Sequence, residues 1–174
     1  MMHSAAVDIV RPTTEIEWSN AQTLISELIE WDVDQSSSLG FGRAEVVSAF
    51  YPDSLEDVRR VSTTPEGSFL IAIGKDGPAG CAAFHRWSSE VCELYSVYVR
   101  PSYRGAGIGS LLIGRVWNDA MASGYRAIFL ETADFMHSAH RLYRANGFEV
   151  CEHYRARSAR LRKATISMHC ELRL

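Results

Sequence analysis

Apolar positions change period along the chain, and the change divides it into a helical first third and a sheet-rich remainder. The opening "AAVDIVRP" has strand-like content and stops at Pro12, which cannot donate to a ladder. Thr13 or Thr14 then caps a helix whose first turn carries Glu15 and Glu17, where the positive helix end favours them. Ile16, Leu24, Ile25, Leu28 and Ile29 form its apolar stripe, to about Trp31. "DVDQSSSLGFG" reads as a loop by composition. A second helix covers Arg43 to Phe50. A shorter one follows Pro52, capped by Asp53 or Ser54 and reaching about Val61.

From Gly67 the period becomes that of strands. "SFLIAIG" and "AGCAAFHRW" are joined by the hairpin turn "KDG". "VCELYSVYV", β-branched and aromatic, is a third strand ended by Pro101. A glycine-rich loop follows, then a helix from about Gly109 to Ser123 with Leu112, Ile113, Val116, Trp117, Ala120 and Met121 apolar, stopped by Gly124. "RAIFLET" is a strand, "SAHRLYRAN" a short helix closed by Gly147, and "FEVCEHY" and "TISMHCELRL" are the last strands. Strand meanders followed by a β-loop-α-β unit predict one mixed α/β (α+β) domain spanning residues 1–174.

A net charge of −3 gives no general pull toward nucleic acid or an anionic membrane. No apolar run is long enough to span a bilayer, and "MMHSAAVDIVRP" lacks the pattern of a secretory signal, so the expected location is cytoplasmic. Cys81, Cys92, Cys151 and Cys170 are scattered in strand-like runs and read as buried thiols. His137 and His140 lack further ligands in the pattern, so no metal site is expected. The basic run Arg155, Arg157, Arg160, Arg162 and Lys163 reads as a solvated loop, or as the edge of a site for an acidic ligand.

The chemistry concentrates in "YVRPSYRGAGIGSLLIGRVW". Gly105, Gly107 and Gly109 strip side chains from a loop that opens a helix, where unpaired N–H groups and the helix dipole attract phosphate. Ser110 adds a hydroxyl and Arg104 a charge. A nucleotide P-loop would need a lysine that is missing here. A dinucleotide fingerprint would need G-x-G-x-x-G after the first strand, which makes a nucleotide-dependent oxidoreductase a poor reading.

The spacing Arg104-x-x-Gly107-x-Gly109, preceded by Val99-Arg100-Pro101 and followed by Leu142-Tyr143 and Gly147-Phe148, resembles the GNAT superfamily of acetyl-CoA-dependent N-acetyltransferases. The resemblance covers about Phe69 to Tyr154. It implies a mixed, mostly antiparallel seven-stranded sheet splayed between strands 4 and 5 and flanked by about four helices. Acetyl-CoA, as cosubstrate, would lie in the split. Its pyrophosphate would rest on the backbone of Arg104, Gly105, Ala106, Gly107, Ile108, Gly109 and Ser110, and its pantetheine arm would run along Val97, Tyr98 and Val99.

The implied activity is direct transfer of an acetyl group to a primary amine in a ternary complex. An alkylammonium is only roughly one part in 10³ free amine at neutral pH, so a proton must leave. Strand alternation puts Glu93, Tyr95, Val97 and Val99 on one face, and the resemblance makes Glu93 the candidate base, directly or through water. Glu131 is a second carboxylate at the end of the next strand. Tyr143, the tyrosine of the L-Y-x-x-x-G-F motif, is the candidate acid for the leaving thiolate. Trp31, Asp32, Asp34 and Phe41, in the early loop, are placed to cover the acceptor.

The chain departs from the pattern at Met136, where many members carry asparagine. It also departs at Leu94-Tyr95-Ser96, where one similar bacterial branch has Met-Lys-Arg, and in "RARSARLRKATIS", which replaces that branch's N-P-V-P-G stretch. These departures keep open an alternative, a CoA-binding sensor or partner protein with little turnover. The acceptor, a small molecule or a peptide amine, is not named by the sequence. Dimers are common among GNAT proteins, so a homodimer stays open.

Overall fold

The structure, a computed structural model, describes residues 7–172. Its elements are β1 (Asp8–Val10), α1 (Glu15–Ser37), α2 (Arg43–Phe50), α3 (Leu55–Ser62), β2 (Ser68–Gly74), β3 (Gly77–Arg86), β4 (Val91–Val99), α4 (Ile108–Ala122), β5 (Ala127–Ala133), α5 (His137–Ala145), β6 (Glu149–Cys151), α6 (Ala159–Ala164) and β7 (Thr165–Glu171). The seven strands form one sheet in the order β1-β2-β3-β4-β5-β7-β6. Every neighbouring pair is antiparallel except β4 and β5.

Strand alternation sends side chains to two cores. Leu70, Ala82, Phe84 and Leu94 pack under α4, whose Leu112, Ile113 and Val116 are fully buried. Phe69, Ile71, Cys81 and Ala83 pack on the other face against Trp18, Leu24 and Leu28 of α1.

The parallel pair is short. Val91, Cys92 and Glu93 face Ala127, Ile128 and Phe129, and there the pairing ends. β5 continues alongside β7 as far as Ala133 opposite Thr165, while β4 continues alongside β3 to Val99 opposite Gly80. A bulge begins the divergence. Ala83 faces Tyr95 while Cys81 faces Tyr98, so β4 carries one extra residue over this stretch. Ser96 takes a left-handed φ of 52°, and its carbonyl accepts a bond from the Cys81 thiol at 3.2 Å. The expected split between strands 4 and 5 is thus present.

α1 runs six residues past the expected stop at Trp31, so Trp31, Asp32 and Asp34 are helical rather than looped. The buried face continues through Trp18, Ala21, Leu24, Leu28, Asp32 and Ser36, at helical spacing, and so outlasts its apolar content. Ile16, expected in that stripe, is 77% exposed; Trp18 takes the buried place. Thr14 closes a capping box with Glu17. Six α-helices occur among the described residues where about four were expected, and no apolar periodicity announces α6, which starts at a Ser158 cap. Among the described residues no helix is long and apolar enough to cross a membrane.

Leu24→Ala is expected to cost about 2–5 kcal/mol, because Leu24 is fully enclosed. Ile16→Ala should change stability by less than about 0.5 kcal/mol. Urea unfolding of the two variants checks the pair.

Candidate active site

One end of the split opens on the glycine loop. Gly107 is the N-cap of α4 at φ 79°, with no side-chain cap. The first-turn amides of Ile108, Gly109 and Ser110 have no carbonyl within the helix to bond. A Cβ at Gly109 would come within 2.8 Å of Leu142 Cδ2, so glycine here lets α4 and α5 approach closely. Asn146, at the end of α5, donates to the Ser110 hydroxyl at 3.1 Å and ties the two helix ends together. Arg104 folds back to donate to the Val99 carbonyl at 3.0 Å, with its guanidinium 6.0 Å from the Trp31 ring. The Trp31 ring also lies 6.4 Å from that of Phe135, in the turn after β5, so it sits between the segments that follow β4 and β5.

The other end opens on a cavity of about 140 Å³ between α1, the segment after α2, β4, β5 and α5. Glu93, Glu131, Asp32, Tyr143 and Val97 line it. Glu93 is buried at the last rung of the parallel pair. Its Oε1 accepts from Tyr154 at 2.5 Å and from Arg155 Nε at 2.8 Å. Its Oε2 accepts from His85 Nε2 at 2.7 Å and from Arg155 Nη2. A carboxylate has four acceptor sites, so all of Glu93's are used, and His85 must donate through Nε2. Burial alone would raise the Glu93 pKa, but the bonds from His85, Arg155 and Tyr154 outweigh it and hold the carboxyl at about 2.

Glu131 is bound through Oε1, to Arg157 Nη2 at 2.7 Å and Nε at 3.0 Å; its buried Oε2 has no hydrogen-bond partner among the described residues. Asp32 is buried and accepts from the Tyr51 hydroxyl at 2.9 Å and the Ser36 hydroxyl at 3.3 Å. Burial holds its carboxyl above the ordinary range despite these bonds. Tyr143 is enclosed on α5, 5.8 Å from the Phe148 ring, and burial pushes its hydroxyl pKa up, which keeps it protonated.

The structure thus brings Glu93, Glu131, Asp32, Tyr143 and Val97 to one cavity. It places Trp31 at the split and not on that cavity. Phe41 lies outside both, beneath the Arg160 guanidinium at 4.3 Å. The sequence reading passed over His85, Tyr51 and Tyr154, and gave Arg155 and Arg157 as part of a solvated loop or the edge of a site. Far from being a solvated run, Arg155 and Arg157 turn inward onto two carboxylates. Their spacing of two residues is a signal, since in an extended segment it puts both on one side. Among the described residues no group of three metal-ligating side chains occurs.

A sheet parted at its parallel pair, with a bare helix N-terminus at one end of the opening, is the frame of a GNAT acyltransferase. The profile of the Acetyltransferase (GNAT) family matches residues 21–148, and the chain belongs to that family. An uncharacterized N-acetyltransferase of Schizosaccharomyces pombe is 36% identical over 104 residues, 59% of this chain and 64% of that protein. A thialysine N-epsilon-acetyltransferase of Bos taurus is 26% identical over 80% of this chain and 82% of its own length. The chain therefore spans just under two thirds of the first relative and most of the second. Among solved structures, an acetyltransferase from Streptococcus agalactiae superposes with a TM-score of 0.73 at 20% identity, over 95% of this chain and 98% of that one. A PaiA N-acetyltransferase from Thermoplasma acidophilum, in complex with coenzyme A, gives a TM-score of 0.71 at 18% identity, over 95% and 99%.

The Glu93 cluster makes a stability prediction. Its folded pKa lies below the ordinary 4.5, so its contribution is complete above that value and is lost as pH falls toward about 2. Glu93→Gln strands the Arg155 charge and should cost on the order of 3 kcal/mol at pH 7. The variant's stability should also fall less steeply than the wild type's between pH 4.5 and 2, as read by urea unfolding across that range.

Proposed function

We propose that this protein transfers the acetyl group of acetyl-CoA directly to a small primary amine in a ternary complex. The carrying observation is the parted β4–β5 pair, which leads from the cavity that holds Tyr143 toward the bare first-turn amides of α4. The cradle fits a pyrophosphate: Arg104 to Ser110 present backbone, and any side chain at Gly107 would strain a left-handed φ. From Leu94 onward the β5-facing edge of β4 has no strand partner among the described residues, and Val97, Tyr98 and Val99 can pair there with the pantetheine amides. Acetyl-CoA supplies an activated acetyl thioester. Tyr143, kept protonated by burial, gives its proton to the departing sulfur. Backbone amides at the Ser96 bulge stabilise negative charge as it develops on the carbonyl oxygen.

The acceptor enters on the α1 side. The free Oε2 of Glu131 and the carboxylate of Asp32 receive its ammonium. Trp31 and Phe41 shape the approach from outside the cavity. Glu93 keeps a role in proton removal as the charge that fixes His85, Tyr154 and Arg155 around the site, since its own acceptor sites are filled.

A second reading, a CoA-binding protein with little turnover, is favoured by that complete pairing of Glu93. Thiol release from acetyl-CoA, screened over diamines, amino acids including thialysine, aminoglycosides and peptide N-termini, separates the two. The enzyme reading predicts release with at least one class; calorimetric CoA binding without release on any would leave the sensor. Tyr143→Phe should lower kcat by about 10²–10³-fold with CoA affinity nearly unchanged. An unchanged kcat would remove Tyr143 from the mechanism.

A further inference from the structure

Among the described residues three carboxylates with buried side chains line the cavity, and one of them lacks a cation. Glu93 is held by Arg155 and Glu131 by Arg157. Asp32 is bonded by two neutral hydroxyls, and no ion pair to it occurs among the described residues. It occupies the place on α1 where the next apolar residue of the stripe belongs. Burying a carboxylate without a partner cation is costly, and an asparagine could keep both contacts without a charge, its Oδ1 accepting from one hydroxyl and its Nδ2 donating to the oxygen of the other. Packing therefore gives no reason for the negative charge.

We propose that Asp32 is the group that takes the proton from the acceptor's ammonium, with Tyr51 as its positioning partner. The assignment rests on the acetyltransferase reading and deepens it. Asp32 uses two of its four acceptor sites, whereas Glu93 has none to spare. It faces the cavity that Tyr143 lines, and the Tyr51 hydroxyl feels both Asp32 and Tyr143, so all three share one electrostatic neighbourhood. In the step, an N–H bond of the ammonium breaks, an O–H bond forms on Asp32, and the electron pair stays on nitrogen as the nucleophile. The proton then passes to water. Burial moves Asp32 toward neutrality and makes it a stronger proton acceptor than a free carboxylate.

Burial raises the Asp32 pKa and the bonds from Tyr51 and Ser36 oppose the rise; the other titratable and charged groups that share its cavity come from several elements. Tyr51 and Asp53 come from the segment after α2, His85 from β3, and Glu93 and Tyr95 from β4. Glu131 comes from β5, Tyr143 from α5, and Arg155 and Arg157 from the segment between β6 and β7. The two arginines are engaged by Glu93 and Glu131, so neither lowers Asp32 by a direct bond.

Two measurements test the assignment. In ligand-free protein with carboxyl-¹³C aspartate, the resonance missing from Asp32→Asn should titrate above the ordinary value of about 3.9; titration at or below it overturns the proposal. In the second, the best acceptor from the thiol-release panel is compared with its analogue fluorinated beside the nitrogen, whose free amine dominates at pH 7. Asp32→Asn should lower kcat about 100-fold or more on the first and less than about tenfold on the second, with the melting temperature unchanged or raised. Equal losses on both amines, or a kcat within about threefold of wild type, overturn it. Should Asp32→Asn not fold, Tyr51→Phe replaces it: the acid limb of the kcat profile should move to higher pH, and an unmoved limb overturns the assignment. Turnover retained in Asp32→Asn defeats this assignment alone. Absence of wild-type turnover on every amine defeats the parent reading, and this one with it.

Discussion

The site depends on β4 and β5 being allowed three paired rungs and no more. Glu93 stands on the last of them, opposite Phe129, and the groups gathered on its carboxylate occupy the closed end of the opening. Tyr154 bonds Glu93 and also packs 5.0 Å from the Phe129 ring. Above the rung, the extra residue in β4 and the left-handed Ser96 turn that strand away while β5 stays with β7. A bulge is a local distortion, but in a strand flanked by a divergence it decides which backbone groups are left for something other than a neighbouring strand.

Charge is handled differently at three places around the cavity. Arg155 and Arg157 reach in from a segment far along the chain and neutralise Glu93 and Glu131. Desolvating such pairs gains little in stability, whereas removing one partner costs a great deal. They therefore act as fixed struts, holding the segment between β6 and β7 over the cavity. Asp32 has no such strut. It is reached only because α1 continues past the end of its apolar stripe, so a helix that could have stopped at Trp31 carries a carboxylate into the protein.

Much of the frame was legible in the sequence. The order and periods of the strands, the Pro101 stop and the glycine loop all rest on local chemistry, which a sequence displays directly. The split was legible through motif resemblance alone, since nothing in "VCELYSVYV" says that pairing ends at Glu93. The extent of α1 was misread because "DVDQSSS" has the composition of a loop, while Asp32 and Ser36 find their partners in Tyr51 and in each other. Arg155 and Arg157 were read as a solvated loop or the edge of a site, and their partners stayed unread because those carboxylates lie on strands 62 and 26 residues away, a separation that local pattern cannot bridge. Phe41 was read from its place in an early loop, and in the fold that loop lies against Arg160.

The central claim is that the opening between β4 and β5 receives coenzyme A. Backbone amide resonances followed during titration with CoA test it most directly. The account predicts that the largest shifts fall on Leu94 to Val99 and on Arg104 to Ser110, with little change on β1, β2 and the outer face of α3. Saturating CoA that leaves those two segments unmoved, or that perturbs a surface away from the opening, would contradict it.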